Sequence, residues 1–137
     1  VRRVREWPAG VGARPVLPHT LPAASDWPRV EIVMSHAGAS GGIVRALAAQ
    51  GVAGLVVAAT GNGTVHRELE SALLEAQTQG VKVVRATRCA QGRILSQPQD
   101  KLADAGGLSP VKARIALMLE LLRRGQLSLT TPASPAR

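Results

Sequence analysis

The run from Gly51 to Gly80, GVAGLVVAATGNGTVHRELESALLEAQTQG, constrains the fold more than any other stretch of the chain. Leu55-Val56-Val57-Ala58-Ala59 is continuously apolar, as expected of a parallel-sheet strand covered on both faces. Thr64 is placed to cap a helix that runs to about Gln79, with Leu69, Leu73 and Ala76 as its buried stripe and Gly80 as its stop. Between strand and helix, Thr60-Gly61-Asn62-Gly63-Thr64 gathers hydroxyls, an amide and backbone N–H groups. Parallel sheets bind small molecules at such handovers, so this loop is the first candidate site.

The same grammar extends to both sides. Val30-Glu31-Ile32-Val33-Met34 reads as a strand. Gly41 to Gln50 fits a short helix with Ile43, Val44 and Leu47 at helical spacing and Gly51 as its stop. Val81 to Arg85 reads as the next strand. An irregular stretch, Ala86 to Asp104, follows; loops of that length often carry function. Ser109 suits the N-cap and Pro110 the first position of a last helix. Ile115, Met118, Leu119 and Leu122 give it helical spacing, and Gly125 is expected to stop it. This alternation predicts an α/β fold: a small parallel β-sheet with helices on both faces, a three-layer αβα arrangement.

Three segments follow from composition. Residues 1–29 hold five of the nine prolines and read as a linker, with Val1 to Arg5 as a possible short edge strand. Residues 30–124 form the α/β domain, and residues 125–137, rich in Ser, Thr and Pro, are expected to be a disordered tail. A chain of 137 residues suits one domain. With no Phe or Tyr and only Trp7 and Trp27, its core must be aliphatic.

Several classes are set aside. The single Cys89 excludes an intrachain disulfide and a cysteine-based metal cluster. No apolar run is long enough to span a bilayer, and VRRVREW does not read as a signal peptide. The net charge of +8 invites a nucleic-acid reading. However, Arg2, Arg3, Arg5, Arg14 and Arg29 crowd the first 30 residues, and no aromatic is interleaved with the others. A solvated basic surface is the preferred account, so neither a membrane nor a nucleic acid is the expected partner.

Two readings of the glycine loop stay open. Gly61 and Gly63 match the first two glycines of a dinucleotide fingerprint, but His66 occupies the third position, and no P-loop follows. Either Asn62 and Thr64 hydrogen-bond a small polar ligand, or the segment is a tight turn with Asn62 left-handed and Thr64 as cap. His36 and His66 reach one sheet edge without an acidic ligand pattern, so no metal is expected. Cys89 lies near Arg85 and Arg88; core filler is preferred over a reactive thiol. Asp100 and Asp104 are expected to be solvated. The chain has a binding edge but no evident catalytic engine.

Three segments together resemble the C-terminal domain of bacterial L-asparaginases: Leu55 to His66 (LVVAATGNGTVH), Val83 to Arg88 (VVRATR) with Gly92, and Leu108 to Arg114 (LSPVKAR). They occur in the family's order, over about residues 30–124. By resemblance, residues 1–29 are the end of a preceding domain and its linker. The family hydrolyses asparagine, and to varying degrees glutamine, through a threonine acyl-enzyme without a cofactor. Its nucleophile lies in an N-terminal domain whose Thr-Asp-Thr-type motif is not found here, and His19-Thr20 is no substitute.

The resemblance also implies site residues and partners. Thr64 matches the position that reaches a neighbouring subunit's substrate, where some relatives carry asparagine or serine, and Asn62 is its loop partner. Gln99 falls nearest the family's glutamate; a neutral amide there binds an ammonium less strongly than a carboxylate. Substrate binding is therefore expected at Asn62, Thr64 and Gln99. The expected partners are an amino-acid amide, an asparaginase N-terminal domain and further copies in a homo-oligomer. The chain alone is expected to be inactive. The alternatives are a non-catalytic binding or assembly module and the asparaginase-like subunit of a tRNA-dependent amidotransferase. Compartment is left open.

Overall fold

The computed structural model of the chain describes residues 21–129. The expectations for Val1 to Arg5, for Trp7 and for residues 130–137 lie outside the described residues. Four parallel strands form one sheet in the order β1 (Val30–Met34), β2 (Gly54–Ala59), β3 (Lys82–Thr87), β4 (Ala103–Asp104). The helices are α1 (Gly42–Ala49), α2 (Arg67–Thr78) and α3 (Pro110–Leu129).

The alternation of strand side chains divides the core in two. Val33, Leu55, Val57 and Val83 pack with Val44 of α1 and with Leu69, Leu73 and Ala76 of α2. Val30, Val56 and Ala86 face the other way, onto Ala113, Leu117 and Met118 of α3. The result is the three-layer αβα sandwich. β2 is buried along its whole length, as its unbroken apolar sequence requires. Fully burying a leucine such as Leu55, Leu69 or Leu73 contributes about 1.5–3 kcal/mol. Gly54 lets α3 approach closely: a Cβ there would meet Leu117 Cδ2 at 2.9 Å.

Several local expectations need correction. Thr64 does not cap α2. The N-cap is His66, and the buried Ser35 hydroxyl accepts the His66 backbone N–H at 3.0 Å. Gly125 does not stop α3, which continues to Leu129; Gly125 is not among the glycines with positive φ, so it forms no left-handed cap. Ile43 and Ile115 have helical spacing but are 58% and 44% exposed. The short β4 was not expected, because two residues carry no periodicity. Trp27 packs against the α3 side of the core and donates Nε1–H to the Pro22 carbonyl at 3.1 Å. Among the described residues no helix is long and apolar enough to cross a membrane.

Candidate functional site

The carboxyl ends of β2 and β3 and the connection from β3 to β4 converge on the Thr60–Thr64 loop. Thr60 and Thr64 close it as an isolated antiparallel bridge: the Thr60 N–H and hydroxyl both donate to the Thr64 carbonyl, and the Thr64 N–H donates to the Thr60 carbonyl at 2.9 Å. Gly61 and Gly63 supply the positive φ values, +48° and +86°. Asn62 is not left-handed, since no described non-glycine residue has positive φ.

Four outside residues fix the loop. Arg85 and Thr87 lie two apart on β3 and so project from the same face. Thr87 Oγ1 donates to the Gly61 carbonyl at 2.7 Å, and Arg85 Nη1 donates to the Gly63 carbonyl at 3.3 Å. From the other side, Asn62 Nδ2 donates to the Leu95 carbonyl at 3.4 Å while the Leu95 N–H donates to Asn62 Oδ1 at 2.6 Å. Ile94 packs beneath Gly63, so closely that a Cβ there would meet its Cδ1 at 2.9 Å.

Of the three expected ligand residues, Asn62 has both amide atoms engaged within the chain. Thr64 is exposed, and its hydroxyl makes no hydrogen bond among the described residues. Gln99 is exposed in the Gln97–Asp100 turn, which the Asp100 N–H closes on the Gln97 carbonyl at 3.0 Å.

Contrary to expectation, Asp100 and Asp104 are not simply solvated. Asp100 pairs with Arg85 and accepts the Gln97 N–H at 2.7 Å. The Gln97 N–H, followed by the Arg85 guanidinium, holds its carboxyl below the usual value. Asp104 accepts the Ser96 hydroxyl and the Gly106 N–H. The Ser96 bond is the largest cause of its lowered pKa. The four-residue spacing of the two acids gave no hint of Arg85, which arrives from another strand.

The remaining candidates do not assemble a reactive centre. Cys89 is exposed rather than core filler. His36 Nδ1 lies 2.9 Å from the Ala37 carbonyl, and the buried Nδ1 of His66 has no partner. Among the described residues no group of three or more His, Cys, Asp or Glu side chains could hold a metal. No serine, threonine or cysteine hydroxyl or thiol there is hydrogen-bonded to a histidine ring or a lysine.

The fold and this edge define a parallel αβα domain that presents a loop site without a nucleophile–base pair among the described residues. Residues 29–128 match the model of the glutaminase/asparaginase C-terminal domain, and the chain belongs to that family. It is 37% identical over 102 residues to a glutaminase-asparaginase of Pseudomonas fluorescens biotype A, covering 70% of this chain and 28% of the relative. It is 33% identical over 112 residues to L-asparaginase 2 of Escherichia coli K12, covering 76% and 31%. The crystal structure of a probable cytoplasmic L-asparaginase from Campylobacter jejuni superposes with a TM-score of 0.66 at 36% identity, covering 72% of this chain and 32% of that one. The chain thus spans about a third of the length of the relatives it matches.

Proposed function

We propose that this domain completes the substrate site of an L-asparaginase-type amidohydrolase, with Thr64 and Gln99 offered to a substrate bound mainly by other parts of the enzyme. In this reading a threonine nucleophile in a separate N-terminal domain attacks the side-chain amide, releases ammonia and leaves an acyl-enzyme for water to hydrolyse. The present chain supplies no reacting atom. It supplies hydrogen bonds to the α-amino end of the amino-acid amide, across the interface of a homo-oligomer. The observation that carries the reading is Thr64 itself: a hydroxyl without a partner among the described residues, on a loop whose backbone is fixed, at the carboxyl edge of the sheet. Rigid presentation of that kind lowers the ordering cost of binding. Asn62 supports the reading by holding the loop against Leu95.

Ammonia release from asparagine tests it, with this chain alone and mixed with a separately made asparaginase N-terminal domain. Activity is expected only in the mixture, and is expected to weaken with Thr64→Val. Ammonia release by the chain alone would overturn the reading. So would silence in a mixture in which the two halves are shown to associate; that result would favour a binding or assembly module.

A further inference from the structure

Arg85 stands between the two segments that carry the ligand groups. Its side chain is 11% exposed. One guanidinium nitrogen, Nη1, donates to the carbonyl of Gly63, the residue before Thr64. The other, Nη2, pairs with the carboxylate of Asp100, the residue after Gln99. Asp100 in turn closes the turn around Gln99 by accepting the Gln97 N–H. A single planar fork therefore joins the residues next to Thr64 and Gln99, which are 35 positions apart in sequence.

We propose that Arg85 is the positioning residue of the site, setting the distance between Thr64 and Gln99 by clamping the Gly61–Thr64 loop to the Gln97–Asp100 turn. The proposal rests on the reading of Thr64 and Gln99 as ligand groups and adds the part that fixes their relative placement. The chemistry requires arginine. Its two terminal nitrogens diverge in one rigid plane and can serve two acceptors at once, whereas a lysine is a point donor on a flexible stem. Stability alone does not account for the residue. Its buried Nε has no partner among the described residues, and a part-buried ion pair of this kind is weak evidence for stability.

Amide hydrogen exchange on the full 137-residue chain tests the clamp without any substrate. The reporters are the amides of Gly63 and Thr64, which donate to Thr60 at the loop, of Asp100, which closes the turn on Gln97, and of Leu95, which donates to Asn62 of the loop. Val57 and Val84, in the middle of β2 and β3, serve as references. In Arg85→Gln and in Asp100→Asn the reporters are expected to exchange about tenfold faster, with the references unchanged. Arg85→Lys keeps the charge but not the planar diverging fork, and is expected to restore protection only in part. Unchanged reporters in both variants would overturn the proposal, as would equal loss of protection in reporters and references. Should Arg85→Gln fail to fold, Asp100→Asn, on the outer loop, decides. A clamp shown by exchange together with a silent ammonia assay would remove the Thr64 reading and leave the coupling of the two segments intact.

Discussion

Asn62 and Leu95 are bonded to each other as two strand residues would be, with a side-chain amide standing in for one backbone: Leu95 N–H to Asn62 Oδ1 at 2.6 Å, and Asn62 Nδ2 to the Leu95 carbonyl at 3.4 Å. An Asn62→Ala substitution removes both bonds from exposed positions, where water replaces them. The expected loss is about 1 kcal/mol. That corresponds to a fall in melting temperature of about 4–8 °C for a domain of this size. Thermal unfolding by circular dichroism reads it, and an unchanged melting temperature would show that the pair is not formed in solution.

Gly63→Ala should be the more damaging change. At φ +86° an L-residue is strained by about 1–2 kcal/mol, and the added Cβ would meet Ile94 Cδ1 at 2.9 Å. Overpacking adds about 1–3 kcal/mol unless Ile94 moves aside. The double variant Gly63→Ala with Ile94→Val separates the terms. It should recover the part of the clash due to Cδ1, while the contacts at 3.2 Å to Cγ1 and Cγ2 and the backbone part remain, as read by chemical denaturation.

Thr64→Val behaves oppositely. The hydroxyl has no partner among the described residues, so stability should stay within about 0.5 kcal/mol of the parent. In the reconstituted ammonia assay the same variant should lose one charge-assisted hydrogen bond to substrate, about 1.5–3 kcal/mol. That is about a tenfold to hundredfold fall in kcat/KM. A stability loss as large as that of Asn62→Ala would show that the hydroxyl is a structural group.

Acid should loosen the two segments before it unfolds the sheet. Asp100 and Asp104 both have folded pKa values below the ordinary 3.8, through the Gln97 N–H and Arg85 for the first and the Ser96 hydroxyl and the Gly106 N–H for the second. A depressed folded value contributes stability that is fully present above the unfolded value and is lost as pH falls through the folded one. Stability should therefore be flat with respect to these two groups from neutrality down to about pH 5, and decline below about pH 4. Asp104→Asn should shrink that decline, as followed by melting temperature against pH.

Sequence carried the sheet better than the site. The apolar run Leu55 to Ala59, the stripe Leu69, Leu73 and Ala76, and the Ser109-Pro110 start of α3 are local signals, and the fold follows them. The ends of elements were less legible. The helix after the loop takes His66 as its N-cap because Thr64 is committed to bridging Thr60, a pairing that propensity does not encode. Gly125 reads as a stop, yet a glycine inside a helix costs only about 1 kcal/mol relative to alanine, so it does not by itself end one. Arg85, Thr87 and Leu95 were invisible as loop supports, since each meets the Thr60–Thr64 segment across 20 or more residues of chain. The acids at 100 and 104 look idle because their partners, Arg85, Gln97, Ser96 and Gly106, lie in irregular backbone or on another strand, where spacing gives no periodic signal.

The attachments of the Thr60–Thr64 loop fall on Thr60, Gly61, Asn62, Gly63 and the backbone of Thr64, and none uses the Thr64 side chain. Holder and held are thus separate, like a chuck and its bit. The residue at position 64 can be exchanged for another small polar one without reshaping the turn beneath it. Under the proposed reading, substrate preference at this edge can then drift by single codon changes, while the residues that grip the loop have far less room to vary.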